Sequence, residues 1–369
     1  MKSLTMMSEV MTALAFRPAS AHLSMTPRDR GCALARHRKR RRCYHPRPTA
    51  TARRERERMN FGLFLIESPH RAHVGPSGRH AAPGQGAALT SPEYLGGLAR
   101  FAEEVGFDFV SFPEHVVLPV DYESRYPYQQ YEGGDFKRYP YDETAFPEPV
   151  TALTFVAAVT ERLELGTSVL ILPQRNPVIL AKQLATLDAL SHGRVSLTVG
   201  IGWLREEFAA IGVPWERRGR RADEYIQALR KLWRDEVSTF QGETVSFERI
   251  RCLPKPAQPD GPPIIVGGHS LGAARRAGRL GDGFMPLGLG GFGGEDITPL
   301  LEAWREAAAA AGREQAATEL RMGAAPDLES VQRVAERGAT RIHFSFSAPS
   351  LDEAKRELER IANEVIERF

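Results

Sequence analysis

From Met59 onward, short apolar or β-branched runs alternate with longer stretches whose apolar positions recur every three to four residues. The runs at 60–66, 108–112, 164–172, 194–200, 263–267, 283–287, 319–324 and 341–346 predict strands. Helices are predicted over 91–106, 148–160, 177–191, 221–235, 270–280, 298–312, 328–338 and 351–367. Local chemistry marks several ends. Ser91 ahead of Pro92-Glu93 reads as an N-cap with proline at an early helical position, and Gly106 suits the stop. In the last helix Leu351, Ala354, Leu358, Ile361 and Val365 share one face, which predicts burial of that face. Strict β-α alternation predicts an α/β fold with a parallel sheet covered by helices. Eight units over about 311 residues predict a closed (β/α)8 TIM barrel with insertion loops.

Charge divides the chain in two. The 369 residues carry 49 Lys+Arg and 46 Asp+Glu, a net of +3. Residues 1–58 hold 15 of the basic and 4 of the acidic side chains, a local net of +11, which leaves −8 on 59–369. The leader contains the run His37-Arg38-Lys39-Arg40-Arg41-Arg42 and no sustained periodicity. Such a segment suits a transit peptide, a basic arm for nucleic acid, or an upstream extension of the reading frame ahead of Met59. The extension is the expectation, with 1–58 disordered and 59–369 forming the folded domain. An acidic body disfavours nucleic acid as a partner. No apolar run approaches the roughly 18–20 residues that span a bilayer, so a membrane partner is not expected and a cytoplasmic location is. Three scattered cysteines, Cys32, Cys43 and Cys252, make neither a disulfide framework nor a Cys-based zinc site.

In a barrel of this kind the chemistry belongs to the loops after the strands. Residues 113–147 hold six of the nine tyrosines (Tyr122, Tyr126, Tyr128, Tyr131, Tyr139 and Tyr141), a segment suited to lid a pocket or to make a peripheral dimer contact. Residues 236–262 read as a connection stiffened by Pro254, Pro256, Pro259 and Pro262. Residues 288–296 are mostly glycine, and Gly288-Leu289-Gly290-Gly291-Phe292-Gly293 matches a dinucleotide fingerprint only formally. Glu114-His115 follows the second strand, where a histidine is placed for proton transfer or, more plainly, for a structural hydrogen bond. No second histidine stands four residues on, so no metal is expected. Gly200-Ile201-Gly202-Trp203-Leu204-Arg205 opens like a dinucleotide motif but has Arg205 where the third glycine belongs. Ile264-Ile265-Val266-Gly267-Gly268-His269-Ser270 ends a buried strand in two glycines and opens a helix, which makes either an anion corner or a plain tight turn.

In this order the segments resemble the luciferase-like monooxygenase superfamily of flavin and deazaflavin oxidoreductases. The resemblance covers Met59 to the end. It is carried by Leu165-Gly166-Thr167-Ser168-Val169, Arg175-Asn176-Pro177, Ala181-Lys182, Ala185-Thr186-Leu187-Asp188, Leu190-Ser191, Gly193-Arg194 and Gly200-Ile201-Gly202-Trp203. Pro254-Lys255-Pro256-Ala257-Gln258 and the Gly267-Gly268 pair add a second block. Within the superfamily the chain looks most like the branch that uses coenzyme F-420, an 8-hydroxy-5-deazaflavin, with FMN as the alternative cofactor.

The resemblance implies a catalytic pair, His115 and Glu114, with Glu114 setting the orientation or charge of His115. It also implies a non-prolyl cis peptide at Ser168-Val169 and cofactor contacts from Thr167, Ser168, Val169, Gly202, Trp203, Glu206, Gly267, Gly268, His269 and Ser270. Sugar-phosphate dehydrogenases of this branch carry a Glu and then an Asn after the fourth strand. Trp203 and Glu206 stand there instead, which argues against a sugar-phosphate substrate. The implied activity is hydride transfer between deazaflavin carbon 5 and a small organic substrate, by a homodimer. On the FMN alternative, a separate reductase would supply reduced flavin for oxygen chemistry. A non-catalytic cofactor-binding barrel is the second alternative.

Overall fold

The computed structural model describes residues 59–66, 87–126, 144–286, 296–314 and 318–369. The basic leader, Tyr128, Tyr131, Tyr139, Tyr141 and the glycine run 288–293 lie outside the described residues.

Eight parallel strands close a ring: β1 (Asn60–Leu65), β2 (Phe109–Phe112), β3 (Glu164–Thr167), β5 (Val195–Gly200), β8 (Ile264–Gly267), β9 (Gly283–Met285), β10 (Glu319–Gly323) and β11 (Arg341–Phe346). Pairing of β3 with β5, Leu165 opposite Val195, and of β1 with β11, Asn60 opposite Arg341, leaves no open edge. This is the predicted TIM barrel. Helices α1 (Pro92–Glu104), α2 (Pro149–Val159), α3 (Pro177–Leu190), α5 (Arg218–Arg234), α6 (Leu271–Leu280), α7 (Thr298–Ala310), α8 (Leu328–Glu336) and α9 (Leu351–Ile361) follow the strands. Ser91 caps α1 as its sequence indicates, its side chain accepting from the Tyr94 N–H, and Gly106 takes φ +98° just past the end. No helix among the described residues is long and apolar enough to cross a membrane.

Four details depart from the sequence expectation. The run 164–172 is not one strand: it breaks at the cis peptide Ser168-Val169, and β4 (Leu170–Ile171) resumes pairing with β5 beyond it. A six-residue helix, α4 (Arg205–Ala210), follows β5 where no helix was expected. The proline-stiffened connection contains an antiparallel hairpin, β6 (Ser238–Gln241) and β7 (Ser246–Ile250), ahead of a cis bond at Leu253-Pro254. Its partly exposed strands alternate too weakly to register as a hydrophobic pattern. The last helix stops at Ile361 and continues as a π turn over Ala362–Ile366.

The stretch that carries the resemblance closes the base of the barrel. Asp188 is fully buried; its carboxylate accepts from the Val195 N–H at 3.3 Å and from the Gln258 backbone and side chain at 3.0 and 2.8 Å. Arg194 donates to the carbonyls of Ala157, Thr160, Leu163 and Ser191, capping the C-terminal end of α2 and the turn beyond it.

Inside the ring the lower layers are charged. Arg321, 4% exposed, meets Thr198 Oγ1 at 3.1 Å, with Ser196 Oγ and Glu319 on its other nitrogens. Arg341 joins Glu319 at 3.0 Å and pairs with Glu164. One layer higher, His343 stands opposite Gly62 of β1 and Gly323 of β10, and the Phe109 ring fills the space a side chain at Gly62 would need. Burial, with Arg321 below, pushes the His343 imidazole down to about 4, so it is neutral near pH 7.

Two stability measurements follow. Arg321→Leu leaves Glu319 with one cation fewer in a dry interior and should cost about 3–5 kcal/mol in urea unfolding. His343 has a folded pKa below its unfolded value of 6.5, so its contribution is complete above that value and is lost as acid approaches 4. Between pH 7 and pH 5 this amounts to about 2 kcal/mol, and that part of the pH dependence should vanish in His343→Gln.

Candidate functional site

The C-terminal ends of β2, β3, β5 and β8 converge on Val169. Its two γ-methyls occupy the places where side chains of Gly200 and Gly267 would begin: a Cβ on either glycine would come within 2.6 Å of a methyl. Glycine at both positions is therefore demanded by packing. Ser168 Oγ lies 3.6 Å from Met285 Sδ of β9. The result is a ledge at the barrel mouth, with the cis peptide that the resemblance implied at its centre.

His115 stands beside this ledge. Its side chain is 5% exposed, and Nδ1 lies 3.1 Å from Oε2 of Glu207, which is fully buried. The other oxygen of Glu207 accepts from the Val116 N–H at 2.6 Å and the Val117 N–H at 3.4 Å. A carboxylate at Nδ1 favours the tautomer with the proton there and fixes the orientation of the ring. Phe146 and Trp203 set their rings edge-on to the imidazole at 5.1 and 6.0 Å. Tyr122 and Tyr126 pack on Trp203 at 6.2 and 5.3 Å, so the first part of the Tyr-rich segment walls the mouth.

Glu114, next to His115 in sequence, directs both carboxylate oxygens to the segment after β3. It accepts from the Ile171 N–H at 2.6 Å and pairs with Arg175, which also reaches Glu148 at 2.9 Å. Burial pushes the Glu114 carboxyl up against the pull of Arg175. For Arg175, the two carboxylates outweigh the effect of burial and hold the guanidinium above its ordinary value. Glu114 thus ties the turn after β2 to the segment after β3, and Glu207 is a carboxylate held against the histidine ring.

The remaining predicted residues divide in a similar way. Thr167 is committed to the barrel wall, its hydroxyl donating to the Thr198 carbonyl at 2.7 Å and accepting from the Thr198 N–H at 3.0 Å. Glu206 turns toward the Tyr-rich segment and accepts from the Glu123 and Ser124 N–H groups at 2.8 and 3.1 Å. Gly202, at φ +77°, packs so tightly that a Cβ would lie 2.7 Å from Phe208 and 2.8 Å from Ile171. At the corner after β8 Gly268 takes φ +137°, Ser270 Oγ accepts from the Ala273 N–H at 3.2 Å, and His269-Ser270 lead into α6. The N–H groups of Leu271 and Gly272 open the first turn, where no acidic side chain stands. A glycine-lined ledge joined to a helix opening of this kind fits a flat ring system carrying a phosphate.

Sequence reasoning missed Glu207 because Glu206, its neighbour, sits at the spacing that the resemblance singled out. It missed His343 because a lone histidine within a strand carries no motif.

The family model for luciferase-like monooxygenase matches residues 59–366. An uncharacterized protein of Mycobacterium tuberculosis is 34% identical over 264 residues, covering 72% of this chain and 91% of that protein. The FMNH(2)-dependent dimethylsulfone monooxygenase of Pseudomonas putida is 38% identical over 144 residues, 38% of this chain and 39% of that enzyme. The coenzyme F-420 dependent tetrahydromethanopterin reductase of Methanopyrus kandleri superposes with a TM-score of 0.62 at 15% identity, covering 84% of this chain and 99% of the other, a likeness of fold. Fold, ledge and sequence match agree: the chain belongs to the luciferase-like monooxygenase family.

Proposed function

We propose that the chain is an F-420-dependent oxidoreductase that moves a hydride between the deazaflavin and a small organic substrate. The observation that carries this reading is the Glu207–His115 pair, set against Trp203 and beside the glycine-lined ledge. A deazaflavin bound there supplies a two-electron carrier at its carbon 5.

The chain's own residues do the rest. The backbone of Ser168, Val169 and Gly200 offers one face of the ring a flat support. The N–H groups opening α6 hold the phosphate, because the positive end of a helix favours an anion. Trp203, Tyr122 and Tyr126 cover the mouth and keep water from the reacting atoms. Glu207 holds the imidazole of His115 in place, and that ring gives a proton to the substrate oxygen, or takes one from it, as a carbonyl and an alcohol interconvert. Trp203 in place of the sugar-phosphate branch's glutamate suits an uncharged, partly planar substrate.

A second reading draws on the Pseudomonas putida relative: bound FMNH(2), supplied by a partner reductase, would react with oxygen on the same ledge, with His115 again handling the proton.

Fluorescence titration of Met59–Phe369 with oxidised F-420 and, separately, with FMN distinguishes the two. Tight binding of the deazaflavin alone is expected, and preference for FMN transfers the protein to the oxygen-dependent reading. His115→Ala should keep the F-420 Kd within about threefold while lowering turnover of any alcohol or ketone the wild type accepts by about 10²–10⁴-fold. Loss of cofactor binding in that variant would remove His115 from proton transfer.

A further inference from the structure

Residues 217–221 bring four arginines to the start of α5, and three are satisfied within the protein. Arg217 pairs with Glu243 at 2.7 Å, and Arg220 pairs with the same carboxylate. Arg221 donates to the Pro214 carbonyl at 2.6 Å. Arg218 differs. Among the described residues it has no carboxylate partner, although burial is enough to pull its guanidinium below the ordinary value. An uncompensated cation in a half-buried place costs free energy, and the fold positions this one with care.

Its guanidinium carbon lies 3.6 Å from the centroid of the Trp215 ring. Trp215 in turn stands edge-on to the buried Phe208 at 5.3 Å, so the stack has a firm base. Nε donates to the Gly202 carbonyl at 3.3 Å, which leaves the two terminal nitrogens for another acceptor. The location is set from both sides. Gly202 follows β5, two residues past Gly200 and the Val169 ledge. Gly219, next along α5, accepts through its carbonyl from Arg276 at 2.9 Å, and Arg276 belongs to α6, the helix that opens at the Gly267–Ser270 corner.

We propose that Arg218 is an anion anchor of this rim, its free guanidinium nitrogens taking oxygens of a phosphate ester that also reaches the opening of α6. The inference rests on the cofactor reading above where that ester is the cofactor's. A planar fork held flat against an aromatic ring loses little freedom when it binds a phosphate, which suits arginine better than lysine here.

The test compares wild type, Arg218→Met, which keeps bulk over Trp215, and Arg218→Lys, which keeps charge. Each is titrated with two pairs: F-420 against its phosphate-free core 8-hydroxy-5-deazariboflavin, and FMN against riboflavin. Wild type should prefer the phosphorylated member of the pair it binds, and Arg218→Met should shrink that preference by about 10- to 100-fold while leaving the Kd of the core unchanged. Arg218→Lys should recover part of it. Equal weakening of both members in Arg218→Met, or of neither, overturns the anchor. If wild type binds neither pair, the cofactor reading fails on its own account. Inorganic phosphate then decides: thermal protection of wild type but not of Arg218→Met assigns the anchor to an anionic substrate, and no difference between them overturns it.

Discussion

A carboxylate sealed from water is tolerable only when donors fill its oxygens, and Glu207 meets that condition with the His115 ring and two backbone N–H groups. All three donors lie in the segment after β2, whereas Glu207 is carried by α4 after β5, with β3 between those strands in the wall. The contact therefore bridges the segments on either side of β3. It fixes the imidazole and the backbone behind it together, so orientation of the proton-bearing group and position of the loop are one constraint. Glu206, the preceding residue, faces away and grips the same segment further along, at Glu123 and Ser124. Burial alone would raise the Glu206 carboxyl, but the donors of Ser124 and Glu123 outweigh it and hold the group ionised. Two successive glutamates thus clasp one loop at two points.

The sequence made the barrel legible because its evidence is periodic: each strand and most helices repeat a pattern that survives errors of a residue or two. Ser91, Gly106 and the apolar stripe of α9 do in the structure what their positions imply. The hairpin 238–250 was hidden, since its strands are half-exposed and held by turn and backbone contacts, as in the Gly242 N–H bond to Val245 at 3.0 Å. The site was legible in location and less so in wiring. Glu114, His115, Ser168, Val169, Gly202, Trp203 and Gly267 do gather at one end of the barrel. Which carboxylate meets which ring depends on side-chain direction across elements 92 positions apart, as for His115 and Glu207, and local pattern does not encode that.

The barrel interior repeats the lesson. Arg321, Glu319, Arg341 and Glu164 occupy inward positions that an alternating-strand reading assigns to the core, and each survives there because its neighbours neutralise it. Gly62, Gly200 and Gly267 serve the same interior differently, giving up their own side-chain space to Phe109 and to the Val169 methyls. Charge fills the bottom, bare backbone packed under Val169 floors the top, and the change from one regime to the other occurs within a single strand length.

The latch made by Asp188 and Arg194 sits at the base, on the far side of the ring from His115 and the α6 opening. Nothing about the rim has to be preserved for the latch to hold, and nothing in the latch specifies what the rim must accept. A lineage can therefore rewrite its mouth, exchanging wall tyrosines or the clasped loop, without first rebuilding its foundation. The residues that mark kinship in such chains record shared architecture, and divergence of chemistry is free to proceed at the opposite pole.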